Sequence, residues 1–123
     1  MYFKTGCIYH FKPCKSSFPV KNKYAICMSE EKNWFYLINS CSETPPIRPY
    51  SHEKGLVIIL NEFQVKPLSH KSYLNVKKLI TISSDDYDEC REFEKVSNKV
   101  WLEIRKLCLD KLPKHITDII FKK

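Results

Sequence analysis

The chain has 123 residues, 43% of them apolar and 13% aromatic, and carries a formal charge of +7 from 21 Lys+Arg against 14 Asp+Glu. This length suits one domain with its own core, so residues 1–123 read as a single domain. With only two glycines, Gly6 and Gly55, the chain has no glycine-rich phosphate loop or dinucleotide fingerprint, and its longest apolar run, Leu56 to Leu60, is strand-sized rather than membrane-spanning.

Gly6-Cys7-Ile8-Tyr9-His10-Phe11 alternates and predicts a first strand. Residues 12–21 hold Pro13, Pro19 and three lysines, the composition of a basic loop. Lys23 to Met28 predicts a second strand, Glu30-Glu31-Lys32-Asn33 a polar turn, and Trp34 to Ile38 a third strand in an antiparallel hairpin. Pro45, Pro46 and Pro49 make residues 42–54 a long loop. Leu56 to Leu60 predicts a buried strand. Leu74 to Ile82 predicts another, with a phase change near Lys77-Lys78 that suits a bulge. From Asp85 the period becomes helical. Phe93, Val96, Val100, Trp101, Ile104, Leu107 and Cys108 share one face, which predicts a helix near 86–110 opened by Asp85, Asp86, Asp88 and Glu89. Pro113 ends it and opens a short second helix faced by Ile116, Ile119 and Ile120. The expected fold is α+β: a small antiparallel SH3-like barrel over 1–83 followed by C-terminal helices over 84–123.

The charge follows that division. Residues 1–83 carry 12 Lys+Arg and 5 Asp+Glu, whereas residues 84–123 carry 9 of each. The whole positive balance therefore sits on the β-unit and points to a polyanionic partner. The six cysteines include no C-x-x-C pair and no zinc spacing. Cys27 and Cys108 lie in apolar runs and read as small buried hydrophobes. The N-terminal Met1-Tyr2-Phe3-Lys4-Thr5 does not resemble a secretory signal, so reduced thiols and a cytoplasmic location are expected. No cofactor and no metal are expected.

The order of elements resembles the MazF/PemK-like toxins of type II toxin–antitoxin systems. Gly6-Cys7-Ile8-Tyr9, Lys23 to Ser29, Phe35 to Ser40, and Leu68 with Ser72 to Ile82 carry the resemblance. It implies an SH3-like barrel, a homodimer, a cognate antitoxin as protein partner, and metal-independent RNA cleavage by attack of a ribose 2′-OH on the adjacent phosphate. The family's Arg-Pro before the second strand is replaced by Lys21-Asn22-Lys23, and its Thr-Ser pair by Asn39-Ser40-Cys41-Ser42. The acid/base residues of the family therefore do not carry over by motif.

Metal-free cleavage needs proton-transfer groups and cations around one phosphate. In the Pro-rich loop Arg48 and His52 stand four apart, offering a planar fork and a group that titrates near neutrality. With Lys23 and Ser42 they form the candidate catalytic set. Lys12, Lys15, Lys21, Lys54 and Lys77 are candidate contacts to single-stranded RNA, with Tyr50 placed to stack on a base. His10 reads as a packed or surface strand residue, and Trp34, Phe35 and Tyr36 as core, with a base-stacking platform as the functional alternative. The reading from a different class is a small phage- or plasmid-type interaction protein that inhibits or regulates a protein partner. A large apolar groove would favour it, as a basic face favours RNA.

Overall fold

The computed structural model describes residues 2–17, 20–40, 56–59 and 72–121. Strands β1 (Cys7–Cys14), β2 (Lys21–Ser29) and β3 (Trp34–Ser40) form an antiparallel meander, with Ile8 opposite Ile26 and Ile26 opposite Tyr36. The turn between β2 and β3 is closed by Asn33 at φ 56, a left-handed conformation that asparagine tolerates better than most residues. Ser29 Oγ accepts from the Lys32 amide at 3.2 Å in the same turn.

The expected strand over 74–82 is two strands. β5 (Ser72–Asn75) and β6 (Ile80–Thr81) both pair with β3, at Asn39–Ser40 and at Trp34–Phe35 respectively. Asn75 makes the break between them. Its side chain accepts from the Lys77 amide at 3.0 Å and its carbonyl from the Lys78 amide at 2.9 Å, an Asx-type turn. This turn is the cause of the phase change seen in the sequence. β4 (Leu56–Ile59) pairs with the outer edge of β5.

The expected helix over 86–110 is corrected at its first half. Residues 84–86 form a 3-10 turn in which Asp86 Oδ2 accepts from the Ser83 amide at 2.7 Å. Glu89–Lys95 is a strand, β7, paired antiparallel with β1. Helix α1 (Asn98–Lys111) starts only after Ser97, whose hydroxyl accepts from the Val100 amide at 3.2 Å. The residues of β7 have good helix propensity, but β1 would otherwise present an unpaired edge, and pairing outweighs so weak a preference. The acidic run thus caps a 3-10 turn and continues into a charged edge strand. Leu112 and Pro113 end α1 and open α2 (Lys114–Ile120) as the sequence predicts.

The chain is therefore α+β: a six-strand antiparallel path in the order β4-β5-β3-β2-β1-β7, with β6 also on β3, and two C-terminal helices. Among the described residues the path is open, with β4 and β7 at its ends, and does not close into a barrel. Both faces of the central strands are covered. Ile8, Ile26, Met28, Tyr36 and Leu74 pack against Val100, Ile104, Leu107, Cys108 and Ile120 of the helices. On the other face Tyr9, Phe11, Cys27, Phe35 and Ile82 surround Phe3, whose ring meets Phe35 edge-on at 4.9 Å. Cys27 and Cys108 are fully buried, as their apolar neighbours imply, and burial pushes the Cys27 thiol up to about 12.

Candidate nucleic-acid interface

Alternation along three neighbouring strands places one set of side chains together. His10 on β1 stands opposite Arg91 on β7, and Lys12 opposite Glu89, while Tyr24 on β2 stands opposite His10 from the other side. Residues two apart share a face, so Phe93 joins Arg91 and Glu89. These side chains line an open cleft of about 390 Å³ on the helix-bearing face of the sheet, within the ~300–1,000 Å³ common for small-ligand sites.

The cleft is cationic with aromatic walls. The His10 and Tyr24 rings lie 4.3 Å apart between centroids, tilted by 33°. Tyr24 meets Phe93 edge-on at 5.7 Å, and the Arg91 guanidinium carbon lies 4.9 Å from the Phe93 ring centroid, a cation–π contact. Burial, and then the charges of Lys12 and Arg91, hold the His10 imidazole below its ordinary pKa. Each cause opposes a second positive charge in the same place. Lys12, Arg91 and Glu89 are exposed, and among the described residues none of the three makes an ion pair. Chemically the cleft offers two cations to phosphate, an imidazole, flat surfaces to a base, and one carboxylate at its rim.

The sequence-predicted residues are dispersed relative to this cleft. Lys12 lines it. Lys15 is engaged elsewhere, its ammonium 3.2 Å from Asp88. Lys21 is half-buried at the start of β2. Lys77 is exposed in the turn after β5, three strands from β1 in the sheet order and so at least ~14 Å away. Lys23 is 7% exposed and donates to Asn39 Oδ1 at 2.8 Å. It shares the face of Ala25 and Cys27, opposite that of Tyr24 and His10. Ser42, Arg48, Tyr50, His52 and Lys54 lie outside the described residues. Phe35 and Tyr36 are fully buried in the core as expected, and Trp34 is half-buried against it.

The segregation of charge in the sequence does not survive folding. β7 brings carboxylates from the neutral half onto the sheet: Glu92 lies 3.8 Å from the Lys4 ammonium and accepts from the Tyr9 hydroxyl at 3.1 Å. His10, Arg91 and Phe93 were missed as a group because 86–97 reads as helix. The available signal was Ser97, an N-cap residue directly ahead of the Val100-Trp101-Ile104 face. Among the described residues no three His, Cys, Asp or Glu side chains stand close enough to hold a metal ion, and no helix is long and apolar enough to cross a membrane. No family model matches the chain, and no curated protein matches it either.

Proposed function

We propose that this protein binds single-stranded RNA through the His10–Lys12–Arg91 cleft. The observation that carries the reading is the convergence, on one concave surface, of three ring systems and two cations that make no ion pair among the described residues. Lysine and arginine attract the phosphates, and aromatic or guanidinium planes accept unstacked bases. The test is fluorescence anisotropy with a labelled single-stranded RNA. Affinity falls steeply with salt, as counterion release requires, and Lys12→Ala with Arg91→Ala together weaken it by about tenfold or more. Affinity indifferent to both would remove the proposal.

Toxin-like RNA cleavage, with the homodimer and antitoxin that the resemblance implies, extends this reading. It rests on the resemblance in the order of elements alone, since Lys23 is buried, donates to Asn39 Oδ1 and lies on the face away from the cleft. Incubation of RNA with the protein in EDTA tests it through formation of a 2′,3′-cyclic phosphate end. A protein-partner reading draws on Leu102 and Leu109, 59% and 52% exposed and two turns apart on α1.

A further inference from the structure

We infer that the cleft is a one-nucleotide subsite that selects guanine, with Glu89 as its specificity-determining residue. The inference rests on the RNA-binding reading and adds which base the cleft prefers. Glu89 is the carboxylate among the cleft side chains, placed opposite Lys12 in the β1–β7 ladder and two residues from Arg91. Among the described residues it makes no ion pair. In a site built only to attract phosphate, such a group weakens binding. Its presence makes sense when it receives donors from the ligand.

A carboxylate is acceptor-only and presents two oxygens side by side. Guanine alone among the RNA bases matches it with two adjacent donors, the N1–H and the N2 amino group. Adenine and cytosine each offer one amino group beside a ring-nitrogen acceptor, and the acceptor faces the second carboxylate oxygen repulsively. Uracil offers one N–H flanked by two carbonyls. The opposite edge of guanine carries the O6 and N7 acceptors that arginine and lysine recognise, so the cations of the cleft do not oppose the choice. Strand geometry sets the spacing: Glu89 and Arg91 lie roughly 7 Å apart along β7. A base laid against the Arg91 guanidinium, which itself sits over Phe93, turns its Watson–Crick edge toward Glu89. Lys12, across the ladder, is left for the adjacent phosphate.

The experiment compares labelled pentauridylate with the same oligomer carrying guanosine, inosine, adenosine or cytidine at its centre, at low salt, by anisotropy. The guanosine oligomer binds about tenfold more tightly than the others, the usual size of discrimination by a bidentate pair. Inosine, which lacks the N2 amino group, loses most of that advantage without any change to the protein. Glu89→Gln reduces the preference for guanosine to within about twofold. Equal binding of all five oligomers by the wild-type protein overturns the inference and leaves RNA binding standing, as does a guanosine preference that survives in Glu89→Gln. Absence of binding by every oligomer overturns both.

Discussion

Arg91 stands directly across the antiparallel β1–β7 ladder from His10, with its guanidinium laid over Phe93. The pairing joins residues 81 positions apart in the chain and creates the cationic cleft. It also explains why the imidazole resists protonation: burial comes first, and the Lys12 and Arg91 charges add to it.

That depressed pKa predicts how RNA affinity depends on pH. A bound phosphate favours the imidazolium and raises the His10 pKa, so affinity increases as pH falls through the bound-state value and levels off below the free-state value. His10→Gln flattens the profile. Stability has the opposite sign: the folded state takes up the His10 proton less readily than the unfolded chain. The stability associated with His10 is full above the ordinary histidine value and declines as pH falls from there through the lowered one. Urea titrations at several pH values, with His10→Gln as reference, check this part.

The stacked guanidinium predicts that Arg91→Lys is not a neutral change. Charge is kept, yet the planar fork that lies over Phe93 is lost. RNA affinity at fixed salt falls by about fivefold or more, the lower end of a stacking contribution, while the slope of affinity against salt stays close to wild type. Titrations of the variant at several salt concentrations separate the two effects.

Tyr36 predicts a core effect away from the cleft. Its buried hydroxyl donates to the Val76 carbonyl at 2.6 Å and lies 3.3 Å from Cys108 Sγ, tying the turn after β5 to α1. Tyr36→Phe leaves that carbonyl unsatisfied and lowers unfolding free energy by about 1–3 kcal/mol. Chemical denaturation measures the loss, and RNA binding by the folded variant is unchanged.

Gly6 is the backbone pivot where the N-terminal segment crosses the sheet. Its φ is +89, its amide donates to the Cys27 carbonyl at 2.8 Å, and its carbonyl accepts from Val96 at 2.9 Å. A Cβ there meets Lys95 Cε at 3.2 Å. The backbone conformation dominates the cost because the lysine side chain can yield. Gly6→Ala therefore destabilises by about 1–3 kcal/mol, read from a thermal or urea melt.

Much of the sheet was legible in the sequence because its strands obey the two-residue period. Lys21–Ser29 and Trp34–Ser40 alternate apolar side chains onto two covered faces, and the polar Glu30–Asn33 turn marks their joint. β7 was not legible for a local reason. Phe93 and Val96 happen to stand three apart, and both continue the apolar series of α1, so a strand and a helix run together into one apparent helical face. Only the edge of β1 decides between them, and that is a tertiary cause. The separation of charge into a basic and a neutral half failed through the same strand, since Asp88 and Glu92 come to rest beside Lys15 and Lys4. The cleft was hidden because half of it belongs to β7. His10 reads as a strand residue, but its significance depends on Arg91 and Phe93, which no spacing rule connects to it. Lys23 carries a charge near a strand start, whereas its place on the opposite face follows from the β1–β2 register, in which it stands opposite Phe11 and Tyr24 opposite His10.

The measurement closest to the central claim is a two-dimensional ¹H–¹⁵N NMR titration of the labelled protein with a short single-stranded RNA. Shifts should concentrate in β1 and β7, strongest at His10, Lys12, Glu89, Arg91 and Phe93, with Tyr24 on β2 following, and the amides of α1 near Leu102 and Leu109 should stay still. Shifts confined to α1, or a spectrum unmoved by RNA at low salt, would contradict the assignment of the cleft as the RNA-binding surface.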